Sequence, residues 1–596
     1  MKRNPWVLFM KDEIQGKLDR FEKTTKENIE NWLSGSYDQQ TKDEIIRLLS
    51  SDPNALKDAF FQKLTFGTAG ARGIMGIGTN RLNIYTIRFM AQGLANYIIK
   101  QKKQNLCVFI GYDNRNNSSI FAKETAKVLA GNNILVFLFD RLCPTFLVSY
   151  AVRKKQCIAG VMITASHNPP EYNGFKVYWQ DGGQVLPPHD KGIIEEVNKI
   201  KDIDQVKIAK DDSSKITMIY EEIEKTYLKD IEMLQNLKEQ NLKFGKDLKC
   251  IYTNLHGTGV TLLPKALENW GFFNLQFVEE QKEPDGNFTN APHPNPEEED
   301  ALSLGIEKIK KSGADIFMAT DPDCDRIGVV IKHKEITYHF SGNEIAILLL
   351  HHILTHKSLP SNGAVCKSIV TTRLFDLVSD SFKVPCESVL TGFKYIAELI
   401  EKWENSKEKT FIFGAEESCG YLAETFVRDK DAVTAAALLC EMALELKRKD
   451  KTLLDQLYEI YQKFGVFREK VISIAFDASE EGMKKMKIVM ENLRKSSPEI
   501  FASYEIAKID DYLSSVSKGI KEDITSKIDL PKSDVLAFHL SDLSTLIIRP
   551  SGTEPKIKIY FSVHESEIKD TIEKTILLCD ERIKALSDAI QNEISS

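Results

Sequence analysis

Ser166 is the first residue whose type and position could do chemistry. It follows an apolar run at residues 158–163 and lies in a polar segment that extends to Lys176. In open α/β sheets, ligands bind in the crevice beyond the carboxyl ends of the strands, so a serine at this point is placed to act as a nucleophile. The alternative is that Ser166 and Asn168 only shape a turn, since serine, asparagine and proline are ordinary turn residues.

A second segment carries three aspartates at alternate positions. Asp321, Asp323 and Asp325 follow another apolar run. In an extended segment these carboxylates would project to the same side and crowd negative charge, unless a hard divalent cation with oxygen ligands lies among them. The sequence therefore predicts a Mg²⁺ site, with Cys324 as a spacer because Mg²⁺ prefers oxygen to sulfur. A surface acidic turn is the alternative, but such turns seldom follow an apolar run and end in Arg-Ile-Gly.

A third segment, at residues 414–421, also follows an apolar run and is bounded by glycines. Its two adjacent carboxylates, Glu416 and Glu417, and the hydroxyl of Ser418 suit hydrogen bonding to vicinal sugar hydroxyls. A glutamate pair at the start of a helix would explain the same residues.

A fourth segment, at residues 549–556, lies between two predicted strands. Its guanidinium, two hydroxyls and the backbone N–H groups around Gly552 could cradle a phosphate dianion, although a plain turn is the alternative. The chain lacks a GxxxxGK[ST] motif, which argues against an ATP phosphate loop. Taken together, a serine nucleophile, a metal loop, a hydroxyl-binding loop and a phosphate cradle predict an enzyme that moves phosphoryl groups on a sugar phosphate.

The elements that must position these segments fall into successive blocks. Apolar runs alternate with helical periodicity in three blocks, which predicts α/β domains with mixed, mostly parallel sheets, and the last block predicts a C-terminal α+β domain. The predicted strands are residues 107–111, 134–139, 158–164, 249–253, 275–278, 316–320, 363–369, 384–389, 410–414, 467–476, 535–540, 544–550 and 556–562. The predicted divisions are a helical extension at 1–60 packed on the first domain, α/β domains at 61–210, 211–330 and 331–465, and the α+β domain at 466–596.

Composition narrows the classes of protein. The 596 residues are 42% hydrophobic and 28% charged, which suits several packed cores, and the net charge of -7 argues against a nucleic-acid-binding surface. The ten cysteines show neither paired nor finger-like spacing, so a reducing, cytoplasmic location is expected. The most apolar window, residues 345–354, is about half of a membrane span and predicts a buried helix, so no membrane partner is expected.

In the same chain order, these segments resemble those of the α-D-phosphohexomutase superfamily. The resemblance covers nearly the whole chain and is to the branch of phosphoglucomutases and phosphopentomutase-type enzymes. The motifs that carry it are TASHNP at 164–169, DPDCDRIG at 321–328, GAEESCGY at 414–421, RPSGTEPKIKIY at 549–560, FGTAGARGIMGIGTNRLN at 66–83, GYDNRN at 111–116, NLHGTG at 254–259, TGFKYI at 391–396 and FVRDKDAV at 426–433.

The resemblance implies a role for each matching residue. Ser166 is expected to be a phosphoserine, with Asp321, Asp323 and Asp325 as Mg²⁺ ligands and one phosphoserine oxygen completing the site. Arg72 and Lys176 are expected to face the phosphoserine, and Lys176 or His167 to exchange a proton with the sugar. The implied substrate-binding residues are Arg326 beside the metal, Glu416 and Ser418 for the sugar hydroxyls, Thr391, Gly392 and Lys394 for orientation of the sugar, Arg428 near the phosphosugar, and Arg549, Ser551, Gly552 and Thr553 for the non-reacting phosphate.

The implied activity is a phosphoglucomutase that interconverts glucose 1-phosphate and glucose 6-phosphate, with glucose 1,6-bisphosphate as intermediate and activator, acting as a monomer or homodimer. Alternatives with the same loops are a phosphopentomutase, a phosphomannomutase and a glucose 1,6-bisphosphate synthase. A phosphatase that uses a phosphoserine would need water in place of the second sugar hydroxyl. A non-catalytic sensor is disfavoured because Ser166 and all three aspartates are present.

Overall fold

The computed structural model describes residues 14–64, 66–67, 70–104, 106–477, 480–495, 500–501, 504–521, 524–551 and 556–595. The chain divides into two compact units. Unit 1 comprises Met1–Lys332 with Glu424–Cys440, and unit 2 comprises His333–Ala423 with Glu441–Ser596. Within the described residues, none of the helices combines the length and apolar character needed to cross a membrane.

Unit 1 begins with short helices that pack through an aromatic cluster. They are α1 at 14–18, α2 (Lys23–Ser34), α3 (Gln39–Ser51) and α4 (Pro53–Phe60). Trp32 stacks on Tyr37 with ring centroids 4.4 Å apart and meets Tyr85, on the next helix, edge-on at 5.6 Å. The backbone N–H of Asp38 also donates to the Tyr85 hydroxyl over 2.9 Å. These contacts fasten the helices to the first α/β layer.

The first sheet contains the strands that carry the serine segment. Its strands are β1 (Phe66–Gly67), β2 (Gly70–Ile74), β3 (Cys107–Tyr112), β4 (Leu135–Phe139), β5 (Ala159–Ile163), β6 (Tyr172–Trp179) and β7 (Ile216–Ile219), and its helices are α5 (Ile84–Lys100), α6 (Ser118–Gly131), α7 (Thr145–Lys154) and α8 (His189–Lys199). The strand order is β1-β2-β6-β5-β3-β4-β7. Strands β5, β3, β4 and β7 are parallel, whereas β6 returns antiparallel to β5. Lys176, at the end of the polar segment that follows β5, lies on β6.

The second sheet of unit 1 carries the aspartate segment. Its elements are α9 (Glu221–Ile231), α10 (Lys238–Phe244), β8 (Cys250–Thr253), α11 (Leu263–Asn269), β9 (Leu275–Phe277), α12 (Glu299–Ser312), β10 (Ile316–Thr320) and β11 (Ile327–His333). Strand β8 is parallel to both β9 and β10, and β11 is antiparallel to β10. Because Thr320 pairs with Ile327, residues 321–326 form the turn of a hairpin.

Close packing of α12 on β10 makes one testable prediction about stability. A Cβ on Gly305 would overlap the ring of Phe317, whereas a Cβ on the exposed helical residue Gly16 would have no atom within 4 Å. We expect Gly305→Ala to destabilise the protein by about 1–3 kcal/mol through overpacking. The matched Gly16→Ala change should be neutral or stabilising by up to about 1 kcal/mol. Urea midpoints of the two variants measure the difference, and equal midpoints would contradict this packing.

Unit 2 contains a third sheet, which carries the glutamate segment. Strand β12 (Ile336–Phe340) precedes this sheet in the chain and is not one of its strands. The strands and helices of this part are α13 (Gly342–His356), β13 (Gly363–Ser368), α14 (Leu374–Ser381), β14 (Cys386–Val389), α15 (Phe393–Ser406), β15 (Thr410–Glu416), β16 (Gly420–Leu422), α16 (Ala432–Lys447), whose last turns lie in this unit, and α17 (Leu453–Phe464). Strands β14, β13 and β15 are parallel, and β16 is antiparallel to β15. The apolar window at 345–354 lies within α13 and is largely buried, as predicted.

The last sheet is antiparallel and ends in a long helix. Its elements are β17 (Val466–Ala475), α18 (Glu480–Lys495), β18 (Ile500–Phe501), β19 (Tyr504–Asp511), β20 (Val516–Gly519), β21 (Thr525–Lys527), β22 (Leu536–Leu540), β23 (Thr545–Pro550), β24 (Lys556–Glu565) and α19 (Ile572–Ser595). The main path runs β17-β24-β23-β22-β19-β20-β21, and β18 pairs with β19. The predicted fold class, three α/β domains with mixed sheets and a C-terminal α+β domain, is confirmed.

Candidate active site

Ser166 lies in a strained turn directly after β5. Its φ of 54° is in the left-handed region, which costs a non-glycine residue roughly 1–3 kcal/mol. Two contacts hold this conformation: the Ser166 N–H donates to Thr164 Oγ1 over 2.9 Å, and the Ser166 carbonyl accepts from Arg115 Nη2 over 2.5 Å.

Arg115 is a positioning residue that sequence reasoning missed, although it stands in the GYDNRN motif. Its guanidinium donates to the carbonyls of Pro169 and Tyr172 at 2.8 and 3.0 Å, and also to that of Asn168. Its Nε lies 3.4 Å from Asp113, and both side chains are fully buried. One buried cation therefore fixes four carbonyls of residues 164–172, the serine loop, including the carbonyl of Ser166.

This arrangement predicts an effect of Arg115→Lys on turnover. A lysine ammonium cannot span carbonyls that the planar guanidinium reaches together, so the serine loop should shift. We expect kcat to fall by about 10- to 100-fold, because misplacement by 1 Å can cost that much, while KM changes little. Arg141→Lys is the matched control, because Arg141 is exposed, pairs with Asp140 over 2.7 Å and lies over the Tyr220 ring, away from the serine loop. An unchanged kcat for the folded Arg115→Lys protein would contradict the assignment.

The three aspartates converge, but not for the reason that the sequence suggested. The expectation of an extended segment is wrong: the Cys324 N–H donates to the Asp321 carbonyl over 2.9 Å, and Cys324 has a φ of 56°. This tight turn folds the segment back on itself. Carboxylate oxygens of Asp321, Asp323 and Asp325 all lie within 4.8 Å of one another. Curvature of the hairpin turn, and not strand alternation, brings them together.

The electrostatics of this turn fit a divalent cation. Burial raises the pKa of Asp321 well above its usual range, and the charges of Asp323 and Asp325 add to the rise. The Oδ1 atoms of Asp323 and Asp325 are buried and have no hydrogen-bond partner among the described residues. Buried carboxylate oxygens that lack partners are costly unless a cation binds them, and oxygen ligands are those that Mg²⁺ takes.

Ser166 and two predicted proton carriers meet this acidic turn. The Ser166 hydroxyl donates to Asp321 Oδ2 over 3.0 Å and lies 3.1 Å from His167 Nδ1. Lys176, on β6, donates to Asp323 Oδ2 over 2.7 Å. Burial and the positive charge of Arg326 lower the pKa of His167 well below its usual range, which leaves a neutral imidazole. Although burial opposes it, the charges of Asp323 and Asp325 raise the pKa of Lys176, which keeps it protonated.

Two predicted arginines of unit 1 lie beside this cluster. Arg72 is on β2, opposite Gly174 of β6, and therefore on the same face of the sheet as Lys176. Its Nη1 donates to Asn168 Oδ1 over 2.7 Å. Arg326 follows the aspartates, and its Nη1 donates to Glu297 Oε1 over 2.7 Å. Arg72 is thus hydrogen-bonded to the serine loop, whereas the side chain of Arg326 is hydrogen-bonded to Glu297, outside the aspartate turn.

The third predicted arginine is placed differently. Arg428 is buried, its backbone N–H donates to Ser149 Oγ over 2.8 Å, and its Nη1 donates to the Thr425 carbonyl. The basic side chain that reaches the aspartates from this segment is Lys430, whose Nζ lies 3.1 Å from Asp325 Oδ2. Sequence reasoning missed Lys430, and the two basic residues of the FVRDKDAV motif were the available signal.

Unit 2 brings together two segments that were predicted separately. Glu416 ends β15, and its Oε1 accepts from the Gly392 N–H over 2.7 Å. Gly392 has a φ of 118°, a backbone conformation that favours glycine. Thr391 Oγ1 is buried and has no hydrogen-bond partner in the part of the chain that the structure describes. Ser418 follows on the same loop and is half-buried. The arrangement leaves polar oxygens that suit sugar hydroxyls.

The predicted phosphate segment follows β23 in the same unit. The Ser551 N–H donates to the Lys556 carbonyl over 2.8 Å, whereas Gly552 and Thr553 lie outside the described residues. Burial and the charge of Glu417 raise the pKa of Tyr560 to about 12, and Arg549 opposes the rise. Tyr560 therefore lies near both Arg549 of the phosphate segment and Glu417 of the glutamate segment. Lys394, the remaining predicted side chain, lies with its ammonium 5.2 Å from the Tyr395 ring centre.

Comparisons with known proteins identify the family. Residues 63–204, 225–334 and 341–464 match the alpha/beta/alpha domains I, II and III of the phosphoglucomutase/phosphomannomutase family, and residues 486–578 match its C-terminal domain. The chain is 39% identical over 523 residues to a phosphoglucomutase of Staphylococcus aureus strain MRSA252, covering 87% of this chain and 93% of that protein. It is 38% identical over 517 residues to a phosphoglucomutase of Staphylococcus haemolyticus strain JCSC1435, covering 85% and 92%.

A solved structure agrees at the level of the fold. The open form of pp63/parafusin, a phosphoglucomutase from Paramecium, superposes with a TM-score of 0.65 at 18% identity, covering 89% of this chain and 96% of that one. With the matches to all four family domains, this chain belongs to the phosphoglucomutase/phosphomannomutase family, in the phosphoglucomutase branch of the α-D-phosphohexomutase superfamily, and is a phosphosugar mutase.

Proposed function

We propose that the chain is a phosphoglucomutase that interconverts glucose 1-phosphate and glucose 6-phosphate through a phosphoserine at Ser166. The observation that carries the proposal is the hydrogen bond of 3.0 Å from the Ser166 hydroxyl to Asp321, within a turn of three convergent carboxylates. The names of the staphylococcal relatives favour glucose over the pentose and mannose alternatives.

Asp321, Asp323, Asp325 and an oxygen of phosphorylated Ser166 would hold Mg²⁺, which would offset charge on the transferring phosphoryl group. In the first half-reaction the phosphorus–oxygen bond to Ser166 breaks and a bond forms to the free hydroxyl of the sugar monophosphate. Of the two predicted proton carriers, His167 is the neutral one and accepts the hydroxyl proton, whereas the protonated Lys176 can only donate, and glucose 1,6-bisphosphate results. In the second half-reaction the other phosphoryl group returns to Ser166 Oγ, and the proton returns to the released sugar hydroxyl.

The remaining residues are proposed to bind the substrate. Arg72 and Arg326 would neutralise the phosphoryl group in transit, and Lys430 joins them because it contacts Asp325. In unit 2, the proposed sugar ligands are Glu416, Ser418, Thr391, Gly392 and Lys394, and the proposed ligands of the non-reacting phosphate are Arg549, Ser551, Gly552 and Thr553. Arg428 is proposed to act near the phosphosugar, as the family motif implies.

The test is to compare turnover of glucose 1-phosphate, mannose 1-phosphate and ribose 1-phosphate, each with Mg²⁺ and a trace of the matching bisphosphate. We expect the highest kcat/KM for glucose 1-phosphate. Dominant turnover of ribose or mannose phosphate would replace the proposed substrate. Bisphosphate formation from an acyl phosphate donor, without mutase turnover, would indicate a synthase. Release of free phosphate would indicate a phosphatase.

The cellular location, the oligomeric state and the domain divisions are also proposed. We infer a cytoplasmic location, consistent with ten cysteines that are all free thiols. We also infer a monomer or homodimer, which light scattering of the purified protein tests. We also propose domain divisions after residues 60, 210, 330 and 465; limited proteolysis is expected to begin at the exposed segment around residue 210, because Val330 is buried within β11.

A further inference from the structure

Two histidines and two glutamates form a cluster in unit 2 that the proposed mutase mechanism does not use. His352 and His356 are one turn apart on α13, and Glu441 and Glu445 are one turn apart on α16. Residues four apart on a helix lie on the same face, so each helix offers a pair of side chains. His352 Nδ1 and His356 Nε2 lie 3.6 and 2.9 Å from the same atom, Glu445 Oε2.

From these contacts we propose a Zn²⁺ site whose ligands are His352, His356 and Glu445. Zn²⁺ binds imidazole nitrogen and carboxylate oxygen at about 2.0–2.1 Å in a tetrahedron, which places neighbouring ligand atoms about 3.3 Å apart. The distances of 2.9 and 3.6 Å to Glu445 Oε2 lie on either side of that value, and the three ligand atoms lie within 4.8 Å of one another. Only small side-chain shifts would complete the coordination, with water as the fourth ligand.

The surroundings of His352 also fit a metal ligand. While Nδ1 faces Glu445, the opposite ring nitrogen Nε2 lies 3.0 Å from Glu441 Oε1. Histidines that ligate metals commonly donate their second N–H to a carboxylate, which fixes the ring and makes the ligating nitrogen more basic. His352 is 2% exposed and Glu441 is fully buried, so this pair is rigidly held.

Glu445 has an oxygen available for the metal. Its Oε1 accepts from Lys449 Nζ over 2.7 Å, which leaves Oε2 facing the two imidazoles. The mixed nitrogen and oxygen set selects Zn²⁺, whereas the all-oxygen aspartate turn of unit 1 suits Mg²⁺.

The metal would fasten two helices of unit 2. The first turn of α13 lies against the glutamate segment at residues 414–421. The Gly342 carbonyl accepts from the Tyr421 hydroxyl over 2.7 Å, and a Cβ on Gly342 would overlap the Glu417 carbonyl. Zn²⁺ near the other end of α13 would tie that helix to α16. This role is independent of the proposed mutase reaction and would stabilise unit 2 without joining the chemistry.

The test uses the full-length chain, stripped of metal and titrated with Zn²⁺ and with Co²⁺ as a spectroscopic probe, in an excess of Mg²⁺. We expect one equivalent of tetrahedral Co²⁺ with visible d–d absorption, which Zn²⁺ displaces. The same equivalent should persist in Asp323→Asn, which separates it from the aspartate turn. Zn²⁺ should also raise the unfolding temperature.

Matched variants decide the ligands. His356→Ala should weaken Zn²⁺ binding by 10-fold or more and remove the thermal shift, and Glu441→Gln, of nearly equal volume, should weaken binding by about 10-fold. His351→Ala is the control, because His351 is on the same helix but faces Phe382 with ring centroids 5.8 Å apart. Zn²⁺ affinity unchanged in both His356→Ala and Glu441→Gln, or no such equivalent in the unmodified chain, would overturn the site.

Discussion

Replacing Ser166 by alanine is expected to lower kcat for glucose 1-phosphate by on the order of 10⁵-fold, as loss of a nucleophile typically does. Alanine has no oxygen to carry the phosphoryl group, and the change also removes the hydroxyl that lies 3.0 Å from Asp321. Transfer of a radioactive phosphoryl group from labelled glucose 1,6-bisphosphate to the protein measures phosphorylation of Ser166 directly. The Ser166→Ala variant should take up no label.

Ser119→Ala is the matched control for this experiment. Ser119 is a half-buried serine near the start of α6 in the same unit, so the chemical change is identical. We expect the control to keep full turnover and to accept label. If Ser166→Ala were labelled, or if its turnover approached that of the control, another group would carry the phosphoryl and the proposed mechanism would be wrong.

Replacing Asp323 by asparagine is expected to lower kcat by about 10²- to 10³-fold and to raise the Mg²⁺ concentration needed for half-maximal rate by 10-fold or more. The change removes one negative charge from the three that converge within 4.8 Å. It also removes the carboxylate that accepts a hydrogen bond of 2.7 Å from Lys176. The Lys176 ammonium would then repel a cation in the turn. Rates measured at a series of Mg²⁺ concentrations separate the fall in kcat from the rise in the Mg²⁺ concentration needed for half-maximal rate.

The control for this change is Asp300→Asn. Asp300 is exposed near the start of α12, so its carboxylate should contribute little to metal binding. Chelation of divalent cations should abolish turnover of the unmodified chain, and added Mg²⁺ should restore it. An Asp323→Asn protein with an unchanged Mg²⁺ requirement would show that the aspartate turn does not hold the essential metal.

Local sequence was sufficient to predict where the candidate site residues lie relative to the strands. Ser166, Asp321 and Glu416 each come at or just after the end of an apolar strand, and β5, β10 and β15 were predicted because apolar runs bounded by polar turns are local signals. The short return strands β6 and β16 were missed. Each strand directly follows a loop that carries candidate site residues, and its residues were assigned to that segment. Lys176 of β6 contacts Asp323 in the aspartate turn.

The sequence by itself determined the candidate site residues, their order and the alternation of helices and strands, because these depend on neighbours within a few positions. Tertiary structure alone decided that Arg115 would hold the serine loop, that Lys430 would reach Asp325, and that two helices would bring His352 and Glu445 together. It also decided the left-handed backbone of Ser166, which local preference disfavours and which a hydrogen bond from the distant Arg115 helps to hold.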